Sequence, residues 1–369
     1  MENKAKNPFH PKKLPIEIDY LSLLPAISKA QAALARLDAT LDQLLYPKLL
    51  ERSFLTQEAV QSSRIEGTMA TIQEVFEFEA DFDSDISDKK RDDIEEILNY
   101  RKALKFGVGK IDQGDPITEN LVKELHKILL NSVSGASKAP GEFRKGQVYI
   151  GSHGTTIKEA SYVPPEPQHI IEHFSNLEKY LNNHKEQDPL VQIAIVHYQF
   201  EAIHPFWDGN GRVGRLVISL FLYKHGLLKK PWLYLSEYFE RHRQEYYRLL
   251  RGVSEEEKWN EWIIFFLEGV EIQSLDACEK VQKIKNLYEE TKEKAFDMGS
   301  VYAVRFAEAM FVKPIFNRRL IQRVAKIQNY QTLSNVVEKF LKAKIISDLD
   351  PKRERNKVYA FIDLIRLIS

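Results

Sequence analysis

The segment His204-Pro205-Phe206-Trp207-Asp208-Gly209-Asn210-Gly211-Arg212-Val213-Gly214-Arg215 lies between two helix-forming patterns. Upstream, Asp188-Pro189 supplies a cap with proline at the first helical position, and Leu190, Ile193, Ala194 and His197 fall on one face of the helix it opens. Downstream, the apolar run Leu216 to Leu222 reaches a glycine stop at Gly226. The two glycines let the backbone turn tightly with its N–H groups exposed where the second helix starts, which makes a ready anion site. Arg212 and Arg215 lie three apart on that helix, so both guanidiniums reach one polyphosphate. Asp208 is a hard oxygen ligand suited to a magnesium ion shared with phosphate oxygens. His204, at the end of the first helix, is placed to take a proton from an incoming hydroxyl near neutral pH. Singly, a histidine beside proline or an aspartate before Gly-Asn-Gly is an ordinary structural or turn residue. Nine fixed positions within twelve residues point instead to phosphoryl or nucleotidyl transfer.

The chain has 369 residues, which at roughly 150 residues per domain predicts two or three domains. Hydrophobic residues make up 43% and charged residues 29%, so a substantial core can form and wholesale disorder is excluded. The start, Met1 to Lys13, has no apolar core of a signal peptide, and the run Leu216 to Leu222 is far shorter than the ~20 residues of a membrane span. A soluble, cytoplasmic chain with no membrane partner is expected. Cys278 stands alone, so neither an internal disulfide nor a thiolate metal site is available, and a reducing compartment fits. The net charge of zero conceals an asymmetry: residues 301–369 carry 14 Lys+Arg against 6 Asp+Glu, a net of +8, which leaves −8 on the rest. Such a basic segment reads equally as a nucleic-acid partner or as a solvated face.

Along the chain there is no internal repeat. Leu34, Leu37, Leu41, Leu44 and Leu45 recur at helical spacing, and a second pattern runs from Phe54 through Val60 to Ile65. The polar stretch Asp81 to Asp93 interrupts the apolar pattern. Helices are predicted over 94–106 and 119–130, the latter capped by Thr118. Gln147-Val148-Tyr149-Ile150 and Ser161-Tyr162-Val163 are β-prone runs separated by Gly151 and Gly154, which predicts a hairpin ended by Pro164-Pro165. Helix resumes over 167–182.

The dodecapeptide resembles the Fic family signature H-P-F-x-[D/E]-G-N-G-R-x-x-R at every defining position. The resemblance implies a mainly α fold, and an enzyme that transfers AMP from ATP to a Ser, Thr or Tyr hydroxyl of a protein. It further implies His204 as general base and Asp208 as the Mg2+ ligand. Gly209, Asn210 and Gly211 would line the anion hole, with Arg212 and Arg215 holding the β- and γ-phosphates. Ser62-Ser63-Arg64-Ile65-Glu66-Gly67 resembles the family's inhibitory pattern [S/T]-x-x-x-E-[G/N], within an inhibitory helix around 56–67. There Ser62, Glu66 and Gly67 are the pattern residues, and Glu66 would pair with Arg215 in place of the γ-phosphate. Gly141-Glu142-Phe143-Arg144, followed by Val148 to Ile150 and Tyr162 to Pro165, resembles the family's flap, with Val148, Tyr149, Ile150, Tyr162 and Val163 docking a target strand by β-augmentation. Tyr246-Tyr247 resembles paired aromatics near the adenine, although His242 stands where the family pattern has asparagine.

Residues 301–369 read as helices over 304–311, 317–327 and 332–341, then Ile345-Ile346, a charged turn and Val358 to Ile362. Three helices and a two-stranded ribbon resemble a winged helix-turn-helix. On DNA, Gln331, Asn335 and Lys339 would face the groove, and Lys352, Arg353 and Arg355 the phosphates; a protein-docking or dimerisation module is the equal alternative. The expected organisation is an N-terminal helical region (1–105), a Fic core with a β-hairpin flap (106–270), a helical linker (271–300) and the winged helix (301–369). ATP, a hydroxyl-bearing protein target, the chain itself as target, a second copy in a homodimer and DNA through 301–369 are the partners in view. The rival functions are a DNA-binding regulator with a nucleotide-sensing core, and de-AMPylation or another phosphate-linked transfer at the same site.

Three competing motifs are set aside. Gly209 to Gly214 satisfies G-x-G-x-x-G, but the preceding segment has helical rather than strand spacing. Gly141 to Gly146 has P-loop spacing with Gln147 in place of the lysine. His169-Ile170-Ile171-Glu172-His173 matches an inverted zinc-protease pattern, yet reads more readily as two surface histidines beside an apolar stripe.

Overall fold

A computed structural model of the chain describes all residues except 1–6, 43–46, 81–85, 132–137, 152–155, 158 and 184–187, with the backbone alone for 47–50. Leu44, Leu45, Gly154 and the start of the polar stretch fall outside the described residues. In chain order the helices are α1 (Tyr20–Asp42), α2 (Pro47–Ile65), α3 (Ile72–Glu79), α4 (Asp88–Asp112), α5 (Glu119–Leu129), α6 (Ile170–Asn183), α7 (Pro189–Ile203), α8 (Asn210–Lys224), α9 (Ser236–Arg241), α10 (Arg243–Glu256) and α11 (Trp259–Asp297). They are followed by α12 (Val301–Val312), β1 (Ile315–Asn317), α13 (Arg318–Ala325), α14 (Tyr330–Lys342), β2 (Ser347–Asp348), β3 (Val358–Ala360) and α15 (Ile362–Ile368). The fold is mainly helical. No helix among the described residues is long and apolar enough to cross a membrane. The chain divides into two compact units interleaved in sequence, one of residues 1–38, 61–66 and 99–275, the other of 39–60, 67–98 and 276–369.

In the first unit α7 is the central helix. It begins where Asp188 Oδ1 accepts hydrogen bonds from the Leu190 and Val191 N–H groups, at 2.9 and 3.4 Å. Leu190 to Ile203 are buried on every side except at Glu201, so the helix is sandwiched between α6 and α8, with α5 against α8. Thr118 caps α5 by accepting from Leu121 N–H. The expected flap hairpin is reduced, among the described residues, to one antiparallel bridge between Ile150 and Tyr162. Arg144 and Gln147 hold its two arms together instead. Gln147 Nε2 donates to the Val148 and Pro164 carbonyls. Val163 is buried, its carbonyl accepts from Phe9 N–H, and the Tyr162 hydroxyl donates to the Ala202 carbonyl. His173 is buried rather than on the surface, its Nε2 lying 3.2 Å from His10 Nδ1. No group of three or more metal-ligating side chains occurs among the described residues.

In the second unit a three-stranded antiparallel sheet has the order β1-β3-β2, with Phe316 opposite Tyr359 and Asp348 also opposite Tyr359. α12 packs on α13 and α14, and Phe306 meets Phe316 and Phe340 edge to face in the core. Two expectations change here. Asn317 does not start a helix: it ends β1 and caps α13, its Oδ1 accepting from Leu320 N–H at 2.7 Å. The last strand stops at Ala360, and α15 follows it.

Candidate active site

The turn between α7 and α8 is shaped by two residues with positive φ, His204 (+49°) and Gly209 (+78°). At Gly209 the space is also tight, since a Cβ would stand 3.3 Å from the Leu129 side chain. Asn210 locks the turn from within. Its Oδ1 accepts from Phe206 N–H at 2.8 Å and its Nδ2 donates to the Phe206 carbonyl at 2.9 Å. The buried Asn210 side chain therefore shapes the anion loop, and only its backbone is left to line it. α8 starts with no side-chain cap, which leaves the N–H groups of its first turn for another acceptor.

That place is taken by Glu66. A Cβ at Gly211 would overlap Glu66 Oε1, so the carboxylate lies directly against the glycine backbone at the head of α8. Arg215, only 2% exposed, completes the enclosure. Its Nη2 donates to Glu66 Oε1 at 2.7 Å and to the Ser62 carbonyl at 2.9 Å, and its Nε donates to Ser62 Oγ at 2.8 Å. Burial disfavours the charge on Glu66, but Arg215 and then Arg212 outweigh it and hold the carboxyl below its ordinary range. Gly67, at φ +102°, turns the chain away immediately after it. Arg212 reaches Asp208 Oδ1 at 3.1 Å, and Gly209 N–H donates to the same oxygen. The Asp208 side chain is 43% exposed, so this one hard carboxylate at the mouth of the anion loop fits a magnesium ion shared with phosphates, as opposed to one caged by protein.

Residues distant in sequence hold the turn in place. Arg144, 2% exposed, donates from Nε to the His204 carbonyl, from Nη1 to that of Gly146 and from Nη2 to that of Pro165. It thereby ties both flap arms to His204. His126 accepts from Gly141 N–H at Nδ1, which places its own proton on Nε2, donated to the Asp208 carbonyl at 3.0 Å. His126 has no sequence signal, and Arg144 has one only as part of the stretch Gly141-Glu142-Phe143-Arg144 that resembles the start of the family's flap, which does not show that it acts through backbone carbonyls far along the chain. Replacing Arg144 with alanine should cost about 3 kcal/mol of stability, since several buried carbonyls lose a charged donor. Denaturant midpoints measure it, and an unchanged midpoint would contradict this role.

The aromatic pair divides. Tyr246 does not face a cavity: it is 1% exposed, bonded through its hydroxyl to His197 Nε2 at 2.9 Å and stacked on Phe239. Tyr247 does, lining a cavity of about 480 Å³ with Ile150, Tyr162, Tyr198, Glu201 and Arg243. Sequence reading missed Glu201. Burial pushes its carboxyl up to about 8 against the pull of Arg215, so it is mostly neutral at pH 7.

Burial likewise lowers the imidazoles of His126 and His204 to about 4 and of His197 to about 3, with Arg144 adding to the effect at His204. The Glu201 carbonyl and Glu66 oppose it at His204 without restoring the ordinary value. Below about pH 6.5 the unfolded chain binds these protons more tightly, so stability falls with acid. Glu201 has the opposite sign, holding its proton in the fold up to about 8, so its contribution is lost as pH rises from its unfolded value through that point. Because three imidazoles outweigh one carboxyl on the acid side, urea midpoints should peak close to neutrality and decline both toward pH 5 and toward pH 8. A midpoint flat over that interval would contradict the assignment.

The sequence profile of the Fic/DOC family matches residues 116–222, and that of the Fic/DOC family N-terminal region matches residues 24–109, together just over half of the chain. The chain belongs to the Fic/DOC family. This Fic chain is 30% identical over 237 residues to a protein adenylyltransferase Fic of Drosophila grimshawi, covering 63% of the chain and 42% of that protein. It is 30% identical over 214 residues to that of Aedes aegypti, covering 56% and 39%. It thus spans about two-fifths of the length of these relatives. In fold it is similar to a Fic family protein from Desulfovibrio desulfuricans G20 (TM-score 0.60, 20% identity, 95% of this chain and 98% of that one). The fold also resembles Fic-1 of C. elegans (TM-score 0.56, 20% identity, 73% and 75%).

Proposed function

We propose that this Fic chain transfers AMP from ATP to a hydroxyl of a protein target and is inhibited in cis by Glu66. The observation that carries the reading is the Glu66 carboxylate lying on Gly211 and Arg215, an anion in the place built for a terminal phosphate. In the mechanism, His204 enters neutral and takes the proton of the target hydroxyl. The hydroxyl oxygen attacks the α-phosphorus in line, the bond to the β,γ-diphosphate breaks, and pyrophosphate leaves. The first-turn N–H groups of α8, with Arg212 and Arg215, bind the charge that develops on the departing group. Asp208 would hold magnesium, which when bound neutralises phosphate charge. The cavity beside Tyr247 would take the nucleoside, and the flap arm at Val148 to Ile150 would dock the target. Glu66 withdraws one donor of Arg215 and the loop itself, so ATP cannot seat its γ-phosphate while the carboxylate stays. Incubation of Glu66→Gly with ATP and magnesium should add one AMP in mass to protein and release pyrophosphate in equal amount. Release of orthophosphate alone would defeat the proposal.

We also infer that residues 301–369 form a winged helix-turn-helix. The order helix, strand, helix, helix, strand, strand, with α13 and α14 joined by a short turn at Lys326 (φ +51°), supports it.

A further inference from the structure

Of the residues expected to face nucleic acid, those on α14 are engaged within the fold, while Arg353 and Arg355 of the charged turn line a cleft. On α14, Gln331 and Asn335 bond to each other and Lys339 donates to the Met298 carbonyl. That cleft, of about 910 Å³, is lined by Arg91 of α4, Arg318 and Arg319 of α13, and Arg353, Arg355 and Lys357 of the turn before β3. Glu354 is the one carboxylate among its lining residues.

Lys357 is already paired with Asp348 at 2.7 Å, but the five guanidiniums share the cleft with Glu354 as its one lining carboxylate, and like charges gathered in this way come together at a cost that an anion relieves. Arg318 is fixed in advance. Its Nη1 donates to the Tyr330 hydroxyl and to Ser334 Oγ, both at 3.1 Å, while its buried Nε has no hydrogen-bond partner. Its guanidinium lies over the Tyr330 and Tyr359 rings, which hold the plane steady. Arg319 and Arg355 are exposed, and among the described residues no carboxylate lies within ion-pair distance of either. Five of the six cations are guanidiniums, the fork that matches phosphate oxygens two at a time. The volume is larger than one phosphate requires and lies in the range of small-molecule sites.

We propose that this cleft is a second anion site, separate from the Glu66 pocket, that binds two or more neighbouring phosphate groups. The shared chemistry is the linked phosphate, carried by a free polyphosphate or by a nucleic-acid backbone. The inference does not rest on AMP transfer.

The test uses the full chain and its Arg319→Glu/Arg355→Glu variant, both sites being exposed and outside the core. Binding of inorganic tripolyphosphate is measured by calorimetry, and binding of a short DNA duplex by fluorescence anisotropy, each at low and high salt. The proposal predicts that at least one probe binds the wild type, weakens with salt, and loses affinity about tenfold or more in the variant. Tripolyphosphate alone identifies a small polyphosphate ligand, and the duplex alone a nucleic-acid backbone. If neither probe binds, or if wild type and variant bind equally, the proposal is overturned. Tripolyphosphate that binds only at the Glu66 pocket falls under the second outcome, because the variant leaves that pocket intact.

Discussion

Glu66→Gly is expected to raise AMP transfer about 10- to 100-fold over wild type. The factor follows from what the carboxylate holds: a charge-assisted bond to Arg215 at 2.7 Å, worth roughly 1.5 to 3 kcal/mol, which ATP must otherwise displace. Each 1.4 kcal/mol is about a factor of ten in the competent population. Arg215 stays positioned in the variant, because Ser62 still takes its Nε and Nη2 donors. Glu66→Gln separates charge from bulk. It keeps the side chain over Gly211 but loses the ionic attraction, and its rate should lie between the two. Rates are read as AMP incorporated per minute, and equal rates for Glu66→Gly and wild type would remove the inhibitory role of Glu66.

His204→Ala, placed in the Glu66→Gly background, should reduce transfer by about 100- to 10,000-fold, the range a positioned general base supplies. ATP affinity should change little, since the phosphate contacts come from α8 and Arg215. The drop therefore appears in kcat and not in KM. The backbone at His204 is left-handed and its carbonyl is bonded to Arg144, so alanine adds strain that His204→Asn, better suited to positive φ, avoids. A similar loss in His204→Asn, with unchanged ATP binding, separates chemistry from folding.

Much of this centre is legible in one stretch of sequence because its parts are local. The cap at Asp188, the glycine at 209 and the arginines three apart on α8 are all set by spacings of a few residues. What the sequence conceals is long-range. Arg144 and the His204 carbonyl are sixty residues apart, and although Gly141 to Arg144 resembles the start of the family's flap, no side-chain pattern marks a bond made to a backbone carbonyl. His126 is hidden in the same way. Glu66 and Arg215 are 149 residues apart, and only the family resemblance links them. The resemblance places Asn210 in the anion hole, but no local spacing shows that its side chain is engaged by the Phe206 backbone inside the turn. Tyr246 and Tyr247 are neighbours in sequence but point to the core and to the cavity, a distinction set by the rotation of α10. β1 has three residues, too few for a period of two to register.

The central claim is that Glu66 restrains an AMP-transfer site, and label transfer tests it most directly. Wild type and Glu66→Gly are incubated with magnesium and with ATP labelled at either the α- or the γ-phosphate. The account predicts label on protein only from the α position, weak in wild type and strong in Glu66→Gly. Label from the γ position, or none from either although Glu66→Gly binds ATP, would contradict it.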